Sequence, residues 1–403
     1  MIYKGEFITL TKVESANLPV NPDENAPDVI CLSHLRWDFV YQRPQHLMSR
    51  FAKNGRVFYF EEPIFIDGET HLKISARDGN LSVCVPHINH GETQETAEIQ
   101  QAMLDEIISG NEIEKYIAWF YTPMALDFAS HLKPDAIVFD CMDELSAFKF
   151  APPALIENER KLLKKADLVF TGGQSLYEAK KDKHEKVFAF PSSIDVAHFS
   201  KARTIKSEPD DQAKIQKPKL GFCGVIDERM DTILLAEMAD LRPDWQFVMI
   251  GPVVKIAPED LPRRSNIHYL GGKNYDELPA YLSGWNVALM PFAINESTRF
   301  ISPTKTPEYL AAGLPVISTP IRDVVRPYGE KNLVQIAKTA EEFVAEAEKI
   351  LARGNSNEWL GRVDEFLANS SWDKTFAEIN ALINEARSEK EQMTTAAASQ
   401  NFN

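Results

Sequence analysis

The chain has 403 residues, 44% of them hydrophobic, and a formal net charge of −15. That length suggests two or three domains with ordinary buried cores. The acidity argues against a nucleic-acid binder, which shows a basic stripe, and no run nears the ~18–20 apolar residues of a membrane span.

The opening MIYKGEFITLTKVES lacks a cationic segment followed by an apolar one, so no signal peptide is expected and the predicted compartment is the cytoplasm. Cys31, Cys84, Cys141 and Cys223 have no C-x-x-C spacing and sit in apolar, strand-like contexts. They read as buried thiols, not as a disulfide frame or a zinc site.

Residues 1–27 read as an irregular lead-in. Asp28–Ser33 is a near-continuous apolar run, as expected of a parallel strand buried on both faces. A helix over 44–53 and a strand over 56–60 follow. Residues 72–76 and 81–86 read as a two-stranded insertion around Asp78-Gly79-Asn80. The alternation continues with helices over 94–109, 123–132, 152–165 and 174–181. The strands between and after them fall at 116–121, 136–140, 168–171 and 187–190. This is the βαβ rhythm of a doubly wound sheet, giving a first domain over 28–195. Residues 196–218 are rich in charge and proline and read as a linker. A second α/β rhythm fills 219–370, with strands near 220–224, 245–250, 266–270 and 287–291. An amphipathic helix over 371–388 closes the chain, and 389–403 is expected to be disordered.

Four segments carry candidate chemistry. Ser33–His46 joins a strand to a helix and is dense in aromatics, Arg and Gln, residue types that stack on and hydrogen-bond to sugars. Arg36, Trp37, Gln42 and Arg43 are its candidate contacts with an acceptor or sugar. The same stretch, with Arg50, Lys53 and Arg56, could instead touch anionic lipid headgroups. Phe139–Ser146 follows a buried strand, so its acids should emerge at the carboxyl edge, where open sheets bind ligands. Its acids could supply a general base or simply form a solvated, helix-capping loop; the Phe139–Ser146 segment resembles the corresponding part of xanthan-type glucuronosyltransferases, which implies Asp143 as the base, with Asp140 the runner-up. After Gly224 comes a turn with Arg229, which either meets an anion or pairs with Asp227 or Asp231. A further strand ends at Gly251-Pro252. Finally, Ser302–Thr319 reads as loop, helix, glycine stop and strand. Thr304 and Lys305 stand at the helix start, and Glu308 is placed to accept from vicinal hydroxyls.

This last segment resembles the donor-binding segment of GT-B glycosyltransferases similar to family 4. The R-W-D-F-V-Y-Q-R-P-Q-H-L stretch resembles bacterial polysaccharide glycosyltransferases of the teichuronic-acid type. The resemblance covers roughly 28–388. It implies two Rossmann-like domains facing a cleft, the first for the acceptor and the second for the nucleotide-sugar donor, with the last helix returning to the first domain. It also implies diphosphate contact at Arg229 and Lys305 and ribose contact at Glu308, with Gly224, Gly251 and Thr304 in the donor site. The implied donor is a UDP-sugar and the implied acceptor a glycan or lipid-linked sugar in envelope polysaccharide synthesis, with peripheral contact at the inner face of the membrane. No metal or other cofactor is expected, the nucleotide-sugar being a substrate. Two features depart from the pattern: Phe300 stands where a sugar-contacting glutamate is usual, and Val225 where an arginine is usual. A sugar-nucleotide epimerase and a non-catalytic nucleotide-sugar-binding scaffold remain alternatives, and the sequence leaves retaining and inverting courses open.

Overall fold

The computed structural model describes residues 26–354 and 356–400. Most of the predicted lead-in, and the last three residues of the predicted tail, lie outside that range.

The first domain is built on one twisted sheet. Its strands are β1 (Asp28–Ser33), β2 (Val57–Glu61), β3 (Ile64–Ile66), β4 (His71–Ala76), β5 (Leu81–Asn89), β6 (Tyr116–Phe120), β7 (Ala136–Cys141), β8 (Leu168–Thr171) and β9 (Val187–Ala189). They lie in the order β3-β5-β2-β1-β6-β7-β8-β9, with β4 beside β5. Every pairing is parallel except β4 with β5. Strands β1, β2, β6 and β8 are buried on both faces, as their unbroken apolar runs require. The order reverses between β1 and β6, which places the ligand-binding switch point at their carboxyl ends.

The second sheet comprises β10 (Lys219–Cys223), β11 (Gln246–Ile250), β12 (Ile267–Gly271), β13 (Val287–Met290), β14 (Val316–Ser318) and β15 (Gln335–Ile336), in the order β12-β11-β10-β13-β14-β15. This is the 3-2-1-4-5-6 order of a dinucleotide-binding sheet, with its switch point between β10 and β13.

Two parts depart from the sequence reading. The expected linker is folded onto the second domain: Gln212 is fully buried, receiving the Trp285 indole N–H (2.9 Å) and donating to the Tyr281 carbonyl (2.9 Å). A buried glutamine satisfied through its amide is invisible to hydropathy. The closing helix runs from Trp372 to Gln400, so 389–400 are helical where disorder was expected. Trp372, Ile379, Ile383 and Ala386 pack into the core of the first domain with Val29, Trp119 and Phe170. Beyond them, Lys390 holds Asp167 (3.1 Å) and the Pro134 carbonyl (3.2 Å). All four cysteines are buried free thiols.

The domains touch along two lines. On one, Tyr41 of the first domain lies against Tyr275 of the second (centroids 4.7 Å), and His46 meets the same Tyr275 ring edge-on (5.8 Å). On the other, Asp323 of the second domain accepts from the Ser175 backbone N–H (3.0 Å) and the Ser175 hydroxyl. The Gln174–Lys180 helix has no side-chain cap of its own, so its N-terminus is capped from the other domain. A Cβ on Gly173 would sit 2.4 Å from Asp323, so this approach depends on glycine.

Candidate functional site

Between the domains lie two adjoining pockets. The larger, about 470 Å³, is bounded by Trp37, Tyr41, Gly251, Tyr275 and Lys305. The smaller, about 140 Å³, lies between Gln42 and Asp143 on one side and Gly224, Arg229, Thr304 and Lys305 on the other. The carboxyl ends of β10 and β11 form the floor. Gly251 has φ of +146°, and a Cβ there would lie 1.8 Å from the Gly224 carbonyl oxygen, so no other residue fits.

The acidic loop after β7 separates into three fates. Asp140 is fully buried and held by Arg43 Nε at 2.8 Å, so it cannot reach an acceptor hydroxyl; the runner-up assignment as base is corrected on that ground. Glu144 is taken by Lys180 at 2.7 Å. Asp143 makes no side-chain hydrogen bond or ion pair among the described residues, and it lines the smaller pocket. Burial pushes its pKa up to about 6, with Arg229 pulling the other way. A carboxylate near that value is suited to accept a proton close to neutrality.

Two cations face it. Arg229 forks onto Asp227 (Nη2–Oδ2 2.7 Å), the pairing the sequence left as an alternative, yet it still lines the pocket, with its guanidinium carbon 5.5 Å from the centre of the Phe148 ring. Lys305 Nζ donates to Glu308 Oε2 at 2.5 Å; an ammonium has three donors, so two remain for a ligand. Glu308 is 8% exposed and lies behind Lys305, lining neither pocket.

The first loop is corrected in part. Arg36 is bound to Glu61 (2.9 Å) and to the Glu62 and Pro63 carbonyls, so it fixes the loop instead of projecting toward a sugar. Arg43 spends Nε on Asp140 and Nη1 on the Phe190 carbonyl (2.7 Å); only Nη2 lacks a partner, in a side chain 1% exposed. Trp37 and Gln42 do reach the pockets.

The resemblance implies that the Leu270–Tyr275 segment lies by the nucleotide base mainly through its backbone; what the sequence did not show is the Tyr275 side chain, which stacks on His198 (4.3 Å) and closes the larger pocket. Sequence reasoning also missed the role of Phe300, which packs against the core of the first domain from the second. Among the described residues no cluster of three His, Cys, Asp or Glu could hold a metal ion, and no helix is long and apolar enough to cross a membrane.

Residues 217–353 match the family described as Glycosyl transferases group 1. The chain is 23% identical over 300 residues to the candidate teichuronic acid biosynthesis glycosyltransferase TuaH of Bacillus subtilis (strain 168), covering 69% of this chain and 74% of that protein. Its fold is similar to sucrose-phosphate synthase from Thermosynechococcus elongatus (TM-score 0.62, 12% identity, 93% of this chain and 100% of the other). It is also similar to an E. coli trehalose-6-phosphate structure bound with UDP-2-fluoro glucose (TM-score 0.61, 12% identity, 89% and 99%). A third likeness is Anabaena HepE in complex with UDP and glucose (TM-score 0.59, 12% identity, 88% and 99%). The chain therefore has the GT-B fold, and its residues 217–353 match a group 1 glycosyl transferase domain.

Proposed function

We propose that the protein moves a sugar from a UDP-sugar to a glycan or lipid-linked acceptor during envelope polysaccharide assembly, working at the inner face of the membrane without crossing it. The observation that carries this reading is the smaller pocket, where one unpartnered carboxylate, Asp143, faces Arg229 and Lys305. The printed descriptions of TuaH and of the UDP-bound structures support the choice of donor and setting.

In this reading the nucleoside occupies the larger pocket, against Tyr275 and the backbone around Gly251 and Gly272. The diphosphate lies at Lys305 and Arg229, which stabilise the charge growing on the leaving group as the anomeric C–O bond breaks. No resident cofactor is part of the scheme. The anomeric carbon then points toward Asp143, which takes the proton of the attacking hydroxyl if the course is inverting. On a retaining course the departing phosphate takes that proton, and Asp143 orients the sugar.

Calorimetry against UDP, GDP, ADP and CMP tests the donor site. UDP is expected to bind wild-type protein selectively, and Glu308→Ala to weaken it by releasing Lys305 from its anchored position. Binding of none of the four would overturn the donor assignment.

A further inference from the structure

A third pocket, about 520 Å³, opens in the first domain and shares no lining residue with the two pockets of the cleft. It lies at the carboxyl ends of β1, β2 and β6, bounded by Ser33, Glu61 and Thr122, and so occupies the switch point of the first sheet. Its volume is in the range of ~300–1,000 Å³ usual for small-molecule sites. Phe60, Phe128 and Met124 supply apolar walls.

One wall holds a polar group with nothing to bind. Gln100, on the Thr96–Gly110 helix, is 7% exposed and lines the pocket, and its amide, open to the pocket, makes no hydrogen bond among the described residues. Thr122, 5% exposed, accepts from the Met124 N–H and still has its hydroxyl proton to give. The first turn of that helix has no side-chain cap, which leaves further N–H donors at the pocket edge.

The charge of the lining restricts the ligand. It contains Glu61, Glu62, Glu95 and Asp127 and no Lys, Arg or His. Arg36 neutralises Glu61, and Asn158 donates to Asp127 (2.9 Å); the Glu62 and Glu95 carboxylates stand unpaired at the rim. The dipole of the Thr96–Gly110 helix offers only about half a positive charge against these.

From these observations we infer that this pocket is an acceptor subsite for a pyranose carrying no acid group. The sugar's apolar face lies on Phe65, the exposed aromatic of the lining, its hydroxyls bind Gln100 and Thr122, and Glu62 and Glu95 repel phosphate and carboxylate. The inference rests on the glycosyl-transfer reading and deepens it.

The probes are n-octyl β-D-glucopyranoside and n-octyl β-D-glucopyranosiduronic acid, below micellar concentration, titrated calorimetrically into UDP-saturated full-length protein. The glucoside is expected to bind at least tenfold more tightly than the glucuronide, and Gln100→Leu to weaken it about five- to tenfold. The exposed pair Glu62→Lys and Glu95→Lys, which leaves the core intact, should bring the glucuronide within threefold of the glucoside. Equal or tighter glucuronide binding by wild type, absence of glucoside binding, or indifference to both sets of substitutions would overturn the inference. Failure of the transfer reading is separable from this: it appears as no UDP binding and no slow hydrolysis of UDP-sugars without acceptor, whatever the glycosides do.

Discussion

The two walls of the cleft are built on different plans. The second-domain wall is largely backbone: Gly224, Val225, Gly251 and Gly272 bring the main chain to the ligand, with Lys305 and Arg229 added. The first-domain wall is largely side chain: Trp37, Tyr41, Gln42 and Asp143 reach in from loops after β1 and β7. A backbone wall suits the invariant part of a substrate, because its groups cannot be changed one at a time without breaking the strand ends that present them. A side-chain wall can change its acceptor by local substitution while the sheet beneath stays intact. Variants on the first wall should therefore separate chemistry from donor binding, and variants on the second should not.

The largest effect is expected at Asp143. Asp143→Asn should lower kcat by about 10²–10⁴-fold on an inverting course while leaving UDP affinity within twofold. A drop below tenfold would hand the proton to the donor phosphate and mark a retaining enzyme. Because the carboxyl is held up to about 6, kcat/KM should rise as pH increases through that value. The linkage to stability has the opposite sign. Below the ordinary carboxyl range this group contributes its full share to the folded state, and the share is lost as pH rises through about 6.

Arg43→Ala comes next and tests a structural role. It strands Asp140 as a buried, unpaired carboxylate, and breaking such a pair costs about 3–5 kcal/mol. Denaturant unfolding should show that loss, and Arg43→Met combined with Asp140→Leu should recover most of it. A normal unfolding midpoint for Arg43→Ala would return Arg43 to the list of ligand contacts.

On the opposite wall, Lys305→Ala should weaken UDP by about 10–100-fold, the range for losing a charge-assisted hydrogen bond of 1.5–3 kcal/mol. The salt dependence of binding should flatten in the same variant, since one phosphate contact has gone.

The contrast between the walls also explains what the sequence made legible. Glycine-ended strands and the Ser302–Thr319 segment are local signals, so the second sheet, Gly251 and Lys305 could be placed from neighbours in the chain. The first wall depends on pairs far apart. Arg43 and Asp140 are 97 residues distant, and nothing local shows that these two charges consume each other. Arg36 was misread for the same reason, its partner Glu61 lying on the next strand. The third pocket draws on residues near 33, 61, 96–100 and 122–128, four segments that only the sheet order brings together. Polar anchoring hid the rest: Gln212, which is buried, and Lys390, which is not, look solvated in the sequence, yet each secures a segment expected to be loose.

The smallest expected effect concerns how the walls are held at their working distance. Asp323 caps the Gln174–Lys180 helix across the domain boundary, and Arg322 pairs with Glu178 of that helix. Losing a helix cap costs about 0.5–2 kcal/mol, but here the loss falls on the closed arrangement of domains and not on either domain's own core. Asp323→Ala should therefore leave the unfolding midpoint nearly unchanged and shift the population toward a more open cleft. Small-angle scattering should record a larger radius of gyration in the free protein. Acceptor and donor KM should rise by a few fold with kcat retained at saturation, because substrate binding then supplies the closure that the cap supplied before. If Asp323→Ala instead lowered the unfolding midpoint with the scattering profile unmoved, the cap would be acting within the fold alone. The spacing of the two walls would then rest on the other contacts between the domains, Tyr41 with Tyr275, Arg229 with Phe148 and Phe300 with the first domain's core.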